Sequence, residues 1–577
     1  MDFVIELSGI SYSYPGRENQ PVLKDINLKV RRGEFIVVTG RTGSGKSTLC
    51  YILNGLIPHF FGGVLQGTAR VAGLEVAKAT ITDLASRVGI VFQNAESQLV
   101  GLTVEEDIQF GLENLCLPPA VILERSRWAM AVTGLAGLEG RSPWRLSGGQ
   151  KQRTVIAAAL AMYPEVLVLD NPTAELDPLG KAEVLAVIER LNKEMGLTVV
   201  LCEQDLERSA SLADRIVVLD AGRIILDDQP EAIFDNAETL QRLGLRLPQV
   251  TDLALRLRAS GKWTGPLPVS VTGFLSNLPP KVQCITSTVN YGGEPLSKSA
   301  EKVSTNTAKI IVDNVSHIYP DGTKALDGVS LRVFQGEILA ILGHNGSGKT
   351  TLAKHFNGLL RPTTGRVLVD GIDTKNATVA QLANRVGYVF QNPDHQIFAK
   401  TVAEELAFGP RNLGWPEEQV QEAVEVVLKE FNLQKYREKD PFFLGLAERK
   451  LLAIASILIM KPQILVLDEP ATGADYTINT RIIDYIQELN KKGMTIVVIT
   501  HDVEAAAGYA HRLVVMKSGQ VVLAGEPGFV FRHEELLRQC YIEAPPVTKI
   551  GQELNRVGWQ GDMYTVEQAY ATLARLL

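Results

Sequence analysis

No stretch of this 577-residue sequence is long and apolar enough to cross a bilayer. The longest apolar stretches, such as LLAIASILIM at 451–460, fall well short of the about 20 residues that a spanning helix needs. The first residues, MDFVIELSGI, carry acid where a secretory signal carries base. The chain is therefore expected on the cytoplasmic side, meeting a membrane only through a partner. Cysteine is sparse: five residues, at 50, 116, 202, 284 and 540, with no C-x-x-C spacing, which read as buried or incidental thiols in a reducing compartment. A strong positive charge is missing as well, and the net charge of −7 argues against a nucleic-acid partner. What remains, 45% hydrophobic and 21% charged, is ordinary globular composition in a chain longer than one domain.

The sequence repeats itself once. GRTGSGKS at 40–47 recurs as GHNGSGKT at 343–350, VGIVFQN at 88–94 as VGYVFQN at 386–392, and VLVLDNP at 166–172 as ILVLDEP at 464–470. The tails match too: LPQVTDLALRLRASG at 247–261 parallels APPVTKIGQELNRVG at 544–558. A unit of roughly 280 residues means tandem domains, not a solenoid. The expected division is a first domain over 1–235, an extension and linker over 236–308, a second domain over 309–535 and a second extension over 536–577. Residues 262–308, rich in Pro, Gly and Ser and ending in LSKSAEKVSTNTAK, read as flexible linker without dense Lys or Arg. In each copy short β-branched runs alternate with helical patterns, which predicts an α/β fold with a largely parallel sheet.

G-x-x-x-x-G-K-[ST] between a strand and a helix is the phosphate-binding P-loop. Its glycines let backbone N–H groups wrap the phosphates, and the helix N-terminus favours negative charge. The candidate ATP contacts are Gly40, Thr42, Gly43, Ser44, Gly45, Lys46, Ser47 and Thr48 in the first copy. In the second they are Gly343, Asn345, Gly346, Ser347, Gly348, Lys349, Thr350 and Thr351. Lys46 and Lys349 would reach the outer phosphates, and Ser47 and Thr350 would ligate Mg²⁺ with Asp170 and Asp468 nearby.

LSGGQKQR at 146–153, between a P-loop and the VLVLD strand, resembles the signature of ATP-binding cassette (ABC) ATPases, and the likeness spans both copies. The resemblance implies two P-loop NTPase domains with helical signature subdomains, each followed by a small extension. It implies that Ser147, Gly148, Gly149 and Gln150 contact ATP, and that Gln93 and Gln391 meet Mg²⁺ and the attacking water. Tyr14 and Tyr319, 26 and 24 residues before their P-loops, match the adenine-stacking position, although a core aromatic reads as well. Cassettes of this family pair head to tail, so each ATP lies between one P-loop and the other cassette's signature.

Under that pairing the two copies are unequal. The second has Asp468 for metal, Glu469 as general base, Asp475 as the crossing aspartate and His501 as the γ-phosphate sensor, with Lys349 and Gln391 completing a catalytic set. The first has Asn171 in place of the base and Gln204 in place of the histidine. The second copy's own signature is degraded to LGLAERKL at 444–451, where Leu446 and Glu448 would repel an approaching phosphate. All these faults would meet at one composite site. Losing a general base costs a factor of about 10²–10⁴ in rate, so the first P-loop is expected to hold ATP and turn it over slowly. Glu203, next to Gln204, is an alternative source of a displaced carboxylate.

FQNPDHQIFAKTVAEELAFGPRNLG at 390–414, its weaker twin FQNAESQLVGLTVEEDIQFGLENL at 92–115, and NGLIPHFFGG at 54–63 resemble the ATPase subunits of energy-coupling factor (ECF) importers. That resemblance implies a transmembrane scaffold subunit, a membrane substrate-binding subunit and a micronutrient cargo: a vitamin, a vitamin precursor or a transition-metal ion. The 92–115 and 390–414 segments would meet the coupling helices, with Gln98 and Gln396 nearby, unless they are solvated acidic faces. A fused sugar-importer ATPase and a soluble non-transport tandem ATPase remain the alternatives.

Overall fold

The computed structural model describes residues 3–174, 176–278, 307–472, 476–556, 559 and 561–577. Asp475, Cys284 and most of the expected linker lie outside the described residues. The chain divides into two compact units: the described residues up to 278, with 573–575 and 577, form the first, and those over 307–572, with 576, form the second.

The first unit contains β1 (Phe3–Ser13), β2 (Leu23–Arg31), β3 (Phe35–Thr39), β4 (Val64–Val71), β5 (Leu74–Glu75), β6 (Val88–Val91), β7 (Val166–Asp170), β8 (Thr198–Cys202), β9 (Arg215–Asp220) and β10 (Arg223–Asp228). They form a six-stranded sheet in the order β10-β9-β3-β8-β7-β6 and a separate four-stranded sheet in the order β2-β1-β4-β5. All pairs of the larger sheet are parallel except the β9–β10 edge. FIVVT, VLVLD and TVVLC are buried at every position, as expected for strands covered on both faces. The smaller sheet is antiparallel throughout, a layer beyond the expected parallel sheet.

The second unit repeats the plan with β11 (Ala308–Ile318), β12 (Lys324–Phe334), β13 (Ile338–Leu342), β14 (Thr364–Val369), β15 (Ile372–Asp373), β16 (Val386–Val389), β17 (Ile464–Asp468), β18 (Thr495–Ile499), β19 (Arg512–Lys517) and β20 (Gln520–Gly525). Its sheets run β16-β17-β18-β13-β19-β20 and β12-β11-β14-β15.

Between β6 and β7 a helical layer is inserted, made of Val104–Asn114, Pro119–Thr133 and Gly148–Ala161 around Ile108, Leu112, Met130 and Ala157. Val402–Asn412, Glu417–Glu430 and Leu446–Leu458 are its counterparts. After β10, Gln249–Ala259 forms a helix within the expected extension, and Val271–Ser276 forms another inside the stretch expected to be linker. Trp263 stacks on Phe274 at 4.8 Å, and Leu267 and Phe274 are fully buried. Apolar side chains spaced through a Pro/Gly-rich stretch therefore keep 262–278 folded, where composition alone suggested flexibility. Among the described residues no helix is long and apolar enough to cross a membrane.

Candidate functional site

The sites form where β3 and β13 end. In the first unit Gly43 takes φ +78° in open space, so its backbone conformation calls for glycine. Gly40 is required by contact instead: a Cβ there would lie 2.1 Å from the Leu219 carbonyl oxygen. Gly45 caps the helix Lys46–Leu53, as Gly348 caps Lys349–Lys354. Lys46 Nζ donates to the Gly40 and Arg41 carbonyls at 2.7 and 2.9 Å, and Lys349 Nζ donates to those of Gly343 and His344 at the same distances. Thr42, Gly43, Asn345 and Gly346 lie exposed at the loop tips, while Ser44 and Ser347 are buried beneath them. Tyr14 and Tyr319 pair with Thr48 and Thr351, each hydroxyl to hydroxyl at 3.1 Å. Both aromatics are thereby fixed beside their P-loop helix.

Asp170 and Asp468 end β7 and β17 and are buried. Asp468 is fully engaged: Thr350 donates to Oδ1 at 3.1 Å and Tyr388 to Oδ2 at 2.8 Å. Burial pushes its carboxyl up, and those two hydrogen bonds pull it back. Asp170 is raised by burial as well, opposed by a hydrogen bond from Ser47 and the charge of Lys46. Its Oδ1 is buried with no hydrogen-bond partner among the described residues. Tyr388 was not singled out in the sequence; its counterpart in VGIVFQN is Ile90, and that mismatch between the two repeats was the available signal. Beneath Asp170, Cys50 and Cys202 bring their sulfurs to 3.2 Å. The Cys202 hydrogen bond and burial raise the Cys50 thiol and keep it protonated.

The residues after the aspartates differ sharply in chemistry but not in backbone. Asn171 and Glu469 share φ +49°, and each N–H bonds across to the end of the next strand, to Cys202 at 2.8 Å and Ile499 at 2.9 Å. Glu469 Oε2 lies 2.8 Å from His501 Nδ1 and accepts from the Thr472 hydroxyl at 2.8 Å. Burial alone would raise this carboxyl. The His501 and Thr472 hydrogen bonds, with the charges of His501 and Lys349, outweigh burial and hold it at about 2. In the first unit Gln204 Nε2 donates instead to the P-loop hydroxyl of Thr42 at 3.1 Å. Glu203 is buried, and both its oxygens accept from Thr173 at 3.1 and 3.0 Å.

Gln93 and Gln391 are exposed just beyond β6 and β16, and among the described residues no hydrogen bond joins them to the aspartates. Gln98 and Gln396 are half-buried braces: each carboxamide oxygen accepts from a backbone N–H, of Phe92 at 2.7 Å and Phe390 at 3.2 Å. They hold the turn and do not form the outer surface.

Ser147 and Gln150 cap each other at the start of Gly148–Ala161, at 3.2 and 3.1 Å. Ser147 and Gly148 are exposed. Gly149 has a structural reason of its own, since a Cβ there would lie 3.0 Å from Gly180 Cα on the helix Pro178–Met195. In the second unit Gly445 offers no side-chain cap, Leu446 is exposed, and Glu448 Oε1 accepts from Tyr436 at 3.3 Å.

Two glycine-cradled lysines at the carboxyl ends of mostly parallel strands define P-loop nucleotide-binding domains. The sequence model of the family described as "ABC transporter" matches residues 23–174 and 326–472. A protein of Caldanaerobacter subterraneus subsp. tengcongensis is 40% identical over 96% of this chain and 97% of its own length. One of Methanosarcina acetivorans is 41% identical over 96% and 91%. Both are named "Putative ABC transporter ATP-binding protein". Among solved structures, cbiO1 from Clostridium perfringens, titled as part of the ABC transporter complex cbiONQ, is 35% identical over 42% of this chain and 99% of its own, with a TM-score of 0.37. The chain belongs to the ABC transporter ATPase family, with two cassettes in one polypeptide, and is an ATPase.

Proposed function

We propose that this ATPase drives import of a small micronutrient through membrane partner subunits, with one competent and one impaired composite ATP site. The competent site pairs the second P-loop with the signature Ser147–Gln150; the impaired one pairs the first P-loop with residues 444–451. The pairing itself takes place within one chain or between two.

Hydrolysis at the competent site follows from its side chains. Glu469, held ionised, accepts a proton from the attacking water. His501, 2.8 Å away, fixes the orientation of that carboxylate and would sense the γ-phosphate. Lys349 would supply positive charge to the outer phosphates, and Tyr319 would stack on the adenine. Thr350, Gln391 and Asp468 would hold Mg²⁺ here, and Ser47, Gln93 and Asp170 in the first cassette. The orphaned, buried Asp170 Oδ1 near the Ser47 hydroxyl suits a cation. When bound, Mg²⁺ neutralises charge on the β- and γ-phosphates.

The observation that carries the transport reading is a pair of exposed apolar patches at corresponding places. Val100, Leu102 and Phe110 are 63, 79 and 53% exposed in the first cassette; Phe398 and Phe408 are 59 and 47% exposed in the second. Each patch is shaped by a buried carboxylate. Asp107 accepts from Val100 and Gly101 N–H, both at 2.7 Å, and Glu405 accepts from Phe398 and Ala399 N–H at 3.0 and 2.9 Å. Apolar, outward-facing side chains on segments braced in this way suit a partner surface rather than solvent. They lie in the segments that resemble ECF ATPases, which supports a scaffold and a substrate-binding membrane subunit as partners, with the chain on the cytoplasmic membrane face.

Purification from membranes tests the reading. A hydrophobic partner retained by the full chain, and lost on Phe398→Glu with Phe408→Glu, supports it. Recovery with ribosomes instead would overturn it.

A further inference from the structure

The two cassettes place a buried carboxylate on adjacent strand ends. Asp468 registers with Ile499 and Asp170 with Cys202, so the next pair is Glu469 opposite Thr500 in the second unit and Asn171 opposite Glu203 in the first. The acid has crossed one strand, about 4.8 Å. The threonine that holds it has moved too. Thr472, three residues after Glu469, bonds that glutamate; Thr173, two residues after Asn171, bonds Glu203. Glu203 and Glu469 are equally enclosed, at 5 and 6% exposure, and each senses the P-loop lysine of its own cassette.

We propose that Glu203 is the general base of the first cassette's ATP site, replacing the carboxylate missing at Asn171. The water oxygen attacks the γ-phosphorus, the bond to the bridging oxygen breaks, and ADP leaves with the electron pair. The water proton goes to a Glu203 oxygen and from there to solvent. The impaired site thus hydrolyses ATP slowly; this deepens the asymmetric reading above and rests on it.

The groups facing Glu203 set its pH behaviour. Burial raises its carboxyl to about 7, Lys181 on Pro178–Met195 and Lys46 on the P-loop helix lower it, and Asp205 on the following loop raises it. It lacks the imidazole that keeps Glu469 ionised, because Gln204 is turned to Thr42. Turnover at this site therefore rises with pH through about 7.

The test uses the full chain carrying Glu469→Gln, with ATPase rate measured against pH. The residual rate is expected to climb through neutrality, and adding Glu203→Gln is expected to lower it about 10²-fold and flatten the profile. ATP binding by the double variant, unchanged, separates lost chemistry from lost folding. A second variant, Asn171→Glu with Glu203→Thr in the Glu469→Gln background, returns the carboxylate to the position it has in the second cassette and should recover the turnover that Glu203→Gln removes. A residual rate and profile indifferent to Glu203→Gln would overturn the proposal, as would no residual rate at all. If Glu469→Gln alone left the rate near that of the unmodified chain, the asymmetric reading would fail, and the effect of Glu203→Gln would still decide the role of Glu203.

Discussion

Tyr388 donates its hydroxyl to Asp468 Oδ2 at 2.8 Å, and the first cassette has Ile90 at the same strand position. The aspartate of the second cassette is thus held on both oxygens, and that of the first is not. Tyr388→Phe leaves a buried carboxylate oxygen without its donor, a loss of about 1–3 kcal/mol. Calorimetry should show the second cassette unfolding at lower temperature, with the first unchanged.

Glu469→Gln and Asn171→Ala are expected to have very different effects. The first removes the competent base and should lower steady-state ATPase activity by about 10²–10⁴. The second changes a residue with no proton-accepting capacity and should leave the rate within about twofold of its starting value.

Glu203 carries a stability signature independent of its chemistry. Its carboxyl is raised from 4.5 to about 7, so its contribution is fully present below 4.5 and is lost as pH rises through about 7. Glu203→Gln should therefore stabilise the first cassette at pH 8, by on the order of 3 kcal/mol, and make little difference near pH 4. Glu469 behaves oppositely. Held at about 2, it stabilises above 4.5 and loses that contribution only as pH falls toward 2. Thermal unfolding across pH distinguishes the two.

Ser147→Ala removes a reciprocal cap and should cost the first cassette about 1 kcal/mol. Gly445→Ser supplies the missing cap to Leu446–Leu458 and should stabilise the second by a similar amount. Under the proposed pairing Ser147→Ala also lowers ATPase activity, whereas Gly445→Ser does not raise it while Leu446 remains.

What could be read from the sequence was the chemistry carried by neighbouring residues. The P-loops and the aspartate strands each lie within a few residues of chain, where spacing alone implies a purpose, and Asn171 and Gln204 each stood out against its own counterpart in the other repeat. Features assembled across strands were hidden. Tyr388 and Asp468 meet only because β16 pairs with β17 in one register. Gly149 looked like a ligand contact, yet it also admits Gly180 of another helix. The antiparallel sheet escaped notice because shifts after Phe3, Leu7 and Ile10 break the alternation of β1. The bracing role of Gln98 and Gln396 was hidden because polarity says nothing of whether a carboxamide turns inward to a backbone N–H.

The second residue of each P-loop touches the segment that follows its own sheet. Arg41 donates to the carbonyls of Arg242 and Leu243 at 2.7 and 2.6 Å, and His344 lies edge-on to Tyr541 at 5.6 Å. Each phosphate loop is thereby tied to the extension of its own cassette, so a substitution in the extension bears on a loop that it does not adjoin in sequence.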